Sequence, residues 1–184
     1  MAFVTASMSI RILGDPVLRQ RATEVEEIDG KVAALCDRML EVMYEAPGVG
    51  LAAPQVGVRK RIFVYDVGEG PAAVVNPEIV ESDGEWTYEE GCLSVPGLSF
   101  EIVRPRRVHL RGWDAQGREV DIEADDLLAR VFQHEIDHLD GVLLLDRLEE
   151  EERKAAMRRI RELELTGGLQ AAGRDSAVSR GRRL

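Results

Sequence analysis

The stretch Gln133-His134-Glu135-Ile136-Asp137-His138 holds the residues best suited to chemistry. It reads H-E-x-x-H. On a helix, positions i and i+4 lie one turn apart on the same side, so His134 and His138 can both reach one metal ion. Glu135, between them, is placed to handle the proton of a water activated there. Two histidines do not complete a metal site, and the plain alternative is a charged helical turn whose histidines face solvent. Cys92, in Glu90-Gly91-Cys92-Leu93-Ser94-Val95-Pro96-Gly97, is the one cysteine that can complete it. It lies 42 positions before His134, far beyond a zinc-finger spacing, so spacing alone leaves ligation open. A free structural cysteine is one alternative. A carboxylate as third ligand is another, with Glu90 the obvious competitor. A further patch, Gly48-Val49-Gly50-Leu51-Ala52-Ala53-Pro54-Gln55, is small and apolar until Gln55. It lacks the G-x-x-x-x-G-K-[ST] order of a phosphate loop. Beside a metal helix, it reads as a pocket wall with one amide aimed inward.

These residues need a scaffold. Leu128, Phe132, Ile136 and Leu139 form one apolar stripe, and Leu127, Val131, His134 and His138 a neighbouring one. The pattern predicts a helix that buries its first face in a core and lines a site with its second. Asp125 or Asp126 is expected to cap its start and Gly141 to end it. Buried histidines need partners for both ring nitrogens: a metal for one, an acceptor behind it for the other. Upstream, Ile28, Val32, Leu35, Met39 and Met43 predict a helix over 29–44, ended by Pro47, with Cys36 as a small buried hydrophobe. Strands are expected over 61–67 and 72–75, the second stopped by Asn76-Pro77, with an extended stretch over 81–89. Residues 102–113 read as a strand interrupted at Pro105, turning at 114–117 into a partner strand over 118–123. His109 falls on the charged face of that hairpin, away from the metal. An apolar exit segment over 142–145 leads to a charged helix over 148–165. A flexible leader over 1–9 and a disordered tail over 167–184 flank the ordered chain.

Composition bounds the function. A chain of 184 residues, 45 % apolar, suits one domain with a real core. The formal net charge of −10 argues against a general nucleic-acid binder, though not against a local basic patch, and no sequence-specific nucleic-acid partner is expected. No apolar run is long enough to cross a bilayer, and the start lacks the basic and apolar segments of a signal peptide. Cys36 and Cys92 do not suggest a disulfide framework, so a reducing cytoplasm is the expectation.

The three patches together closely resemble the peptide deformylase family, whose patterns are G-x-G-x-A-A-x-Q, E-G-C-L-S and Q-H-E-x-D-H-L-x-G. All three occur here in order, and the likeness covers roughly residues 10–150. With no large insertion after Gln55, the chain resembles the shorter bacterial and organellar class. The resemblance implies an α+β fold, with antiparallel strands packed around the central metal-binding helix and a C-terminal helix, and a catalytic domain over 10–166. It implies Cys92, His134 and His138 as ligands of one divalent ion. That ion would be Fe2+ in the cell, with Zn2+, Ni2+ or Co2+ able to replace it.

The reaction implied is hydrolysis of the N-formyl group from N-formylmethionine on nascent chains, releasing formate. Glu135 would move the proton, while the Gln55 amide and the Leu93 N–H would stabilise the oxyanion. Glu90 would orient the Cys92 loop and pair with Arg104. Val49 and Gly50 would hold the peptide backbone, and Leu127 and Val131 would line the methionine pocket. N-formylmethionyl peptides are then the partners, with a transient ribosome contact and no membrane. Two departures, Ser99 where some members have arginine and Arg130 where another is apolar, bear on affinity beyond the methionine. Two rival readings are a general metallopeptidase, which would have a long open cleft, and a metal-stabilised binding module, which would have a closed fourth ligand.

Overall fold

Helix α2 (Asp126–Leu139) is buried almost all round, which is more than a two-faced stripe predicts. Val131, Phe132 and Leu139 are fully covered, whereas Leu128 and Ile136 of the expected core stripe are only partly so. The computed structural model describes residues 8–167, so all of the expected tail but Gly167 and most of the expected leader lie outside the described residues. Asp125 occupies the N-cap position, but its side chain makes no cap bond. Asp126, at φ 45°, bonds Arg106 Nε instead, so neither acid caps the helix as expected. Gly141 does end it, at φ 75°, where a Cβ would lie 2.8 Å from the Arg19 carbonyl oxygen.

The sheet beneath α2 is built from β1 (Gly50–Ala52), β2 (Ile62–Tyr65), β3 (Ala72–Asp83), β6 (Arg107–Trp113) and β7 (Glu119–Asp125). They lie side by side in that order, all antiparallel. Alternation along β2 divides the core. Phe63 and Tyr65 face α2, where their ring centroids lie 5.8 and 5.1 Å from that of Phe132. Ile62 and Val64 face α1 (Gly30–Glu45) and meet Cys36, Met39 and Met43. The start of α1 is capped by Asp29, which accepts from the Lys31 and Val32 amides. Truncating Phe132 to alanine would cost about 3–5 kcal/mol, the usual range for a buried aromatic.

A separate two-stranded ribbon pairs β4 (Trp86–Cys92) with β5 (Val95–Arg104). Its inner face packs on α3 (Glu150–Leu165) through Val95, Ile102, Ala156 and Ile160. A 3-10 turn at Leu144–Arg147 stands where an apolar exit segment is expected. Pro105 is not an edge defect within one strand: the chain leaves the ribbon there and joins the main sheet. Asn76-Pro77 does not stop β3. The strand passes through as a bulge, with Asn76 at φ 50° and its amide bonded both ways to the Val25 backbone. Among the described residues, no helix is long and apolar enough to cross a membrane.

Candidate metal centre

Helix α2 presents His134 and His138 one turn apart, with ring centroids 5.0 Å apart. The ribbon brings Cys92, the last residue of β4, against them. Its Sγ lies 3.2 Å from His138 Nε2, and the three ligand atoms all fall within 4.8 Å of one another. Sulfur and nitrogen ligands of one tetrahedral zinc ion sit about 3.5 Å apart, so the triad fits a single ion. Among the described residues, this is the group able to hold a metal. Glu90, the competitor in the sequence, is turned behind His134 instead and accepts from its Nδ1 at 3.0 Å.

The nitrogens support the fit. With Nδ1 engaged by Glu90, His134 Nε2 is buried and has no hydrogen-bond partner, a costly state that a Lewis acid would relieve. His138 differs from expectation: its Nδ1 has no acceptor behind it among the described residues. Burial opposes ionisation of the Cys92 thiol, but His138 and His134 outweigh it and hold the thiol well below its ordinary range. The site thus favours thiolate, the form that binds metal.

Glu135 lies next to the triad, fully buried, with neither carboxylate oxygen hydrogen-bonded. Burial pushes its carboxyl up to about 7, against the pull of His134 and His138. Gly50 backs it so closely that a Cβ there would sit 2.4 Å from Glu135 Oε1 and 3.1 Å from Val131 Cγ1. Val131 is buried beside them, and Leu127 is partly buried one turn earlier. The Gln55 oxygen accepts from the Ala52 amide at 2.8 Å, which aims its nitrogen at Ser94 Oγ (3.2 Å) and toward Cys92 Sγ (3.8 Å). Leu93 follows Cys92 in the turn between β4 and β5, and a Cβ on Gly48 would meet its Cδ1 at 2.8 Å. The Val49 carbonyl accepts from the Asp66 amide at 2.9 Å. The structure therefore brings Gln55, Glu90, Cys92, His134, Glu135 and His138 together. It leaves His109 on the β6–β7 hairpin, bonded to Asp121 at 2.6 Å.

Behind the triad lies a charged network only partly foreseen. The expected Arg104–Glu90 pair is present and bidentate, at 2.7 and 3.1 Å. Arg104 also reaches Asp137, which in turn takes Arg147. Arg130 donates to Glu90 as well, so its side chain is turned into the protein and not along a peptide path. Ser99 donates to Glu89 on the neighbouring strand. The sequence assigned no place in this network to Asp137, Arg130 or Ser94. Asp137 and Ser94 were marked only as positions of the family motifs, and Arg130 only as a departure from the family pattern.

Known proteins agree with this geometry. The family model described as Polypeptide deformylase matches residues 7–154. A peptide deformylase of Agathobacter rectalis is 55 % identical over 144 residues, covering 78 % of this chain and 91 % of the relative. The crystal structure of a peptide deformylase from Legionella pneumophila superposes with a TM-score of 0.82 at 41 % identity, over 88 % of this chain and 98 % of that one. The peptide deformylase structure from Thermus thermophilus gives 0.81 at 44 % identity, over 89 % and 98 %. With its metal triad and its fold accounted for, the chain belongs to the polypeptide deformylase family.

Proposed function

We propose that the catalytic unit, residues 10–166, removes the formyl group of N-formylmethionine from nascent chains through the following division of labour. The chain is a metal-dependent hydrolase of its family's type, and its products are formate and a free amino terminus. Cys92 Sγ and the Nε2 atoms of His134 and His138 would hold one divalent ion, which supplies Lewis acidity to a water and to the formyl oxygen. One thiolate and two imidazoles suit Fe2+, the ion we assign in the cell, and also Zn2+, Ni2+ and Co2+.

Glu135 takes the proton of the attacking water and returns it to the departing amine. Burial raises its carboxyl to about 7, and a bound dication would pull it back down toward the range of a proton acceptor. The Gln55 amide, held by Ala52, and the Leu93 N–H would stabilise the oxygen that gains charge. Glu90 fixes the His134 ring from behind. Val49 and Gly50 lie beside the extended peptide, and Leu127 and Val131 form the wall for the methionine side chain. A nascent-chain substrate places the work in the cytoplasm, with a passing contact to the ribosome.

The observation that carries this reading is the unpartnered Glu135 carboxylate beside a buried Cys-His-His triad. The test gives metal-loaded protein two peptides, formyl-Met-Ala-Ser and its unblocked twin. We expect formate from the first and no cleavage of the second. Cleavage of the unblocked peptide at a comparable rate would make the chain a general peptidase.

A further inference from the structure

The side chain of Arg130 is 1 % exposed and lies one helical turn before His134. Both point at the same carboxylate. Arg130 Nη1 donates to Glu90 Oε1, while His134 Nδ1 meets Glu90 Oε2 at 3.0 Å. Arg104 adds one bond to each oxygen, so all four acceptor positions of Glu90 are filled. Arg130 goes further. Nη1 also donates to the Ile102 carbonyl at 3.0 Å and Nη2 to the Trp86 carbonyl, while the guanidinium lies 4.9 Å from the Trp86 ring centroid and 5.6 Å from that of Tyr88. Trp86, Tyr88 and Glu90 belong to β4, which ends at Cys92; Ile102 belongs to β5.

Fold stability does not by itself call for this arrangement. Arg104 already gives Glu90 a bidentate partner, and a second buried cation must be desolvated against the same carboxylate. Arg130 Nε is left without a partner, a further cost. What the second arginine adds is connection. Arg104, on β5, already links the ribbon to α2 through Asp137; Arg130, on α2 one turn before His134, adds a grip on the backbone of both ribbon strands through the Trp86 and Ile102 carbonyls.

We propose that Arg130 is a positioning residue for the metal site: it sets the spacing between the Cys92 ribbon and α2 and locks Glu90 in the orientation that holds His134, and so slows metal release. The inference rests on the triad being the metal site. Shell residues behind a metal ligand typically change affinity about 10–100-fold when removed.

The test is chelator-driven metal release from zinc-loaded full-length protein, followed by a metal indicator, for wild type, Arg130→Met and Arg130→Lys. Methionine keeps an apolar stem against Trp86 and loses every bond. Lysine keeps the charge beside Glu90 but cannot also hold the Trp86 carbonyl. We expect release at least ~10-fold faster for Arg130→Met and an intermediate rate for Arg130→Lys. A merely structural arginine would lower the melting temperature of the metal-free protein and leave the release rate within twofold of wild type; that result overturns the proposal. If Arg130→Met does not fold, Arg130→Lys decides, and a wild-type release rate there overturns it equally. A wild type that binds no zinc would instead refute the triad itself.

Discussion

Gly50→Ala tests how tightly the scaffold holds Glu135. The new methyl carbon would stand 2.4 Å from Glu135 Oε1 and 2.9 Å from its Cδ, where ordinary contact begins at 3.4 Å. The carboxylate must therefore retreat by about 1 Å, since the opposite side of the new carbon is closed by Val131 Cγ1 at 3.1 Å. Gly50 does not have a positive φ and pairs with Tyr65 in β1, so alanine brings no backbone strain. The three nearest atoms belong to Glu135 and Val131, and none to Cys92, His134 or His138. A displacement of about 1 Å in a reacting group costs on the order of 10²-fold, or about 2.7 kcal/mol in the barrier. We expect kcat on a formyl-methionyl peptide to fall by about 10²-fold, with metal content and melting temperature near wild type. Alanine keeps the backbone N–H and C=O, so KM should change little. A metal-replete variant with kcat within threefold of wild type would refute the reasoning, because Glu135 would then have room to move without loss. A rise in KM alone would mean that Gly50 serves the peptide and not the glutamate.

Glu135→Gln should keep metal and fold but lose at least ~10²-fold in kcat, since the amide cannot carry the proton; near wild-type turnover in metal-replete protein would remove Glu135 from that role. Gln55→Leu should lose about 10²–10³-fold in kcat, the scale of one oxyanion donor, whereas an effect confined to KM would make Gln55 a substrate-positioning group. Burial, helped by Asp37, pushes the Cys36 thiol up from 9.0 to about 11. Between those values the unfolded thiol ionises while the folded one keeps its proton, so stability falls as pH rises from about 9 to 11. Urea unfolding should show wild type losing about 2 kcal/mol relative to Cys36→Ala across that window, and parallel curves would contradict the assignment.

Much of the centre was legible because its chemistry is local. His134, Glu135 and His138 share a helical turn, and Gln55 is the lone polar side chain in its loop. The approach of Cys92 to them depends on how the ribbon packs, which chain spacing does not encode; only the combination of three motifs pointed to it. Beyond that, local signals misled where tertiary bonds override them. Pro96 and Gly97 concealed the first half of β5, which the antiparallel partner β4 holds in place. Asn76-Pro77 reads as a stop, yet the Val25 backbone fixes Asn76 in a bulge that lets β3 continue. Asp125 and Asp126 look like caps, but Arg106 claims the second of them. Arg130 stood out only as a departure from the family pattern, and its inward turn was unreadable for a related reason: an arginine in a helix is ordinarily solvated, and the carboxylate that draws it inward lies 40 positions away.

The most direct test of the account is a metal titration of the metal-free protein, read by formate release from a formyl-methionyl peptide. The account predicts that the rate rises linearly to one ion per chain and then stops, and that Cys92→Ala shows neither the break nor the rate. Formate release without metal, or Cys92→Ala saturating at one ion with wild-type turnover, would contradict it.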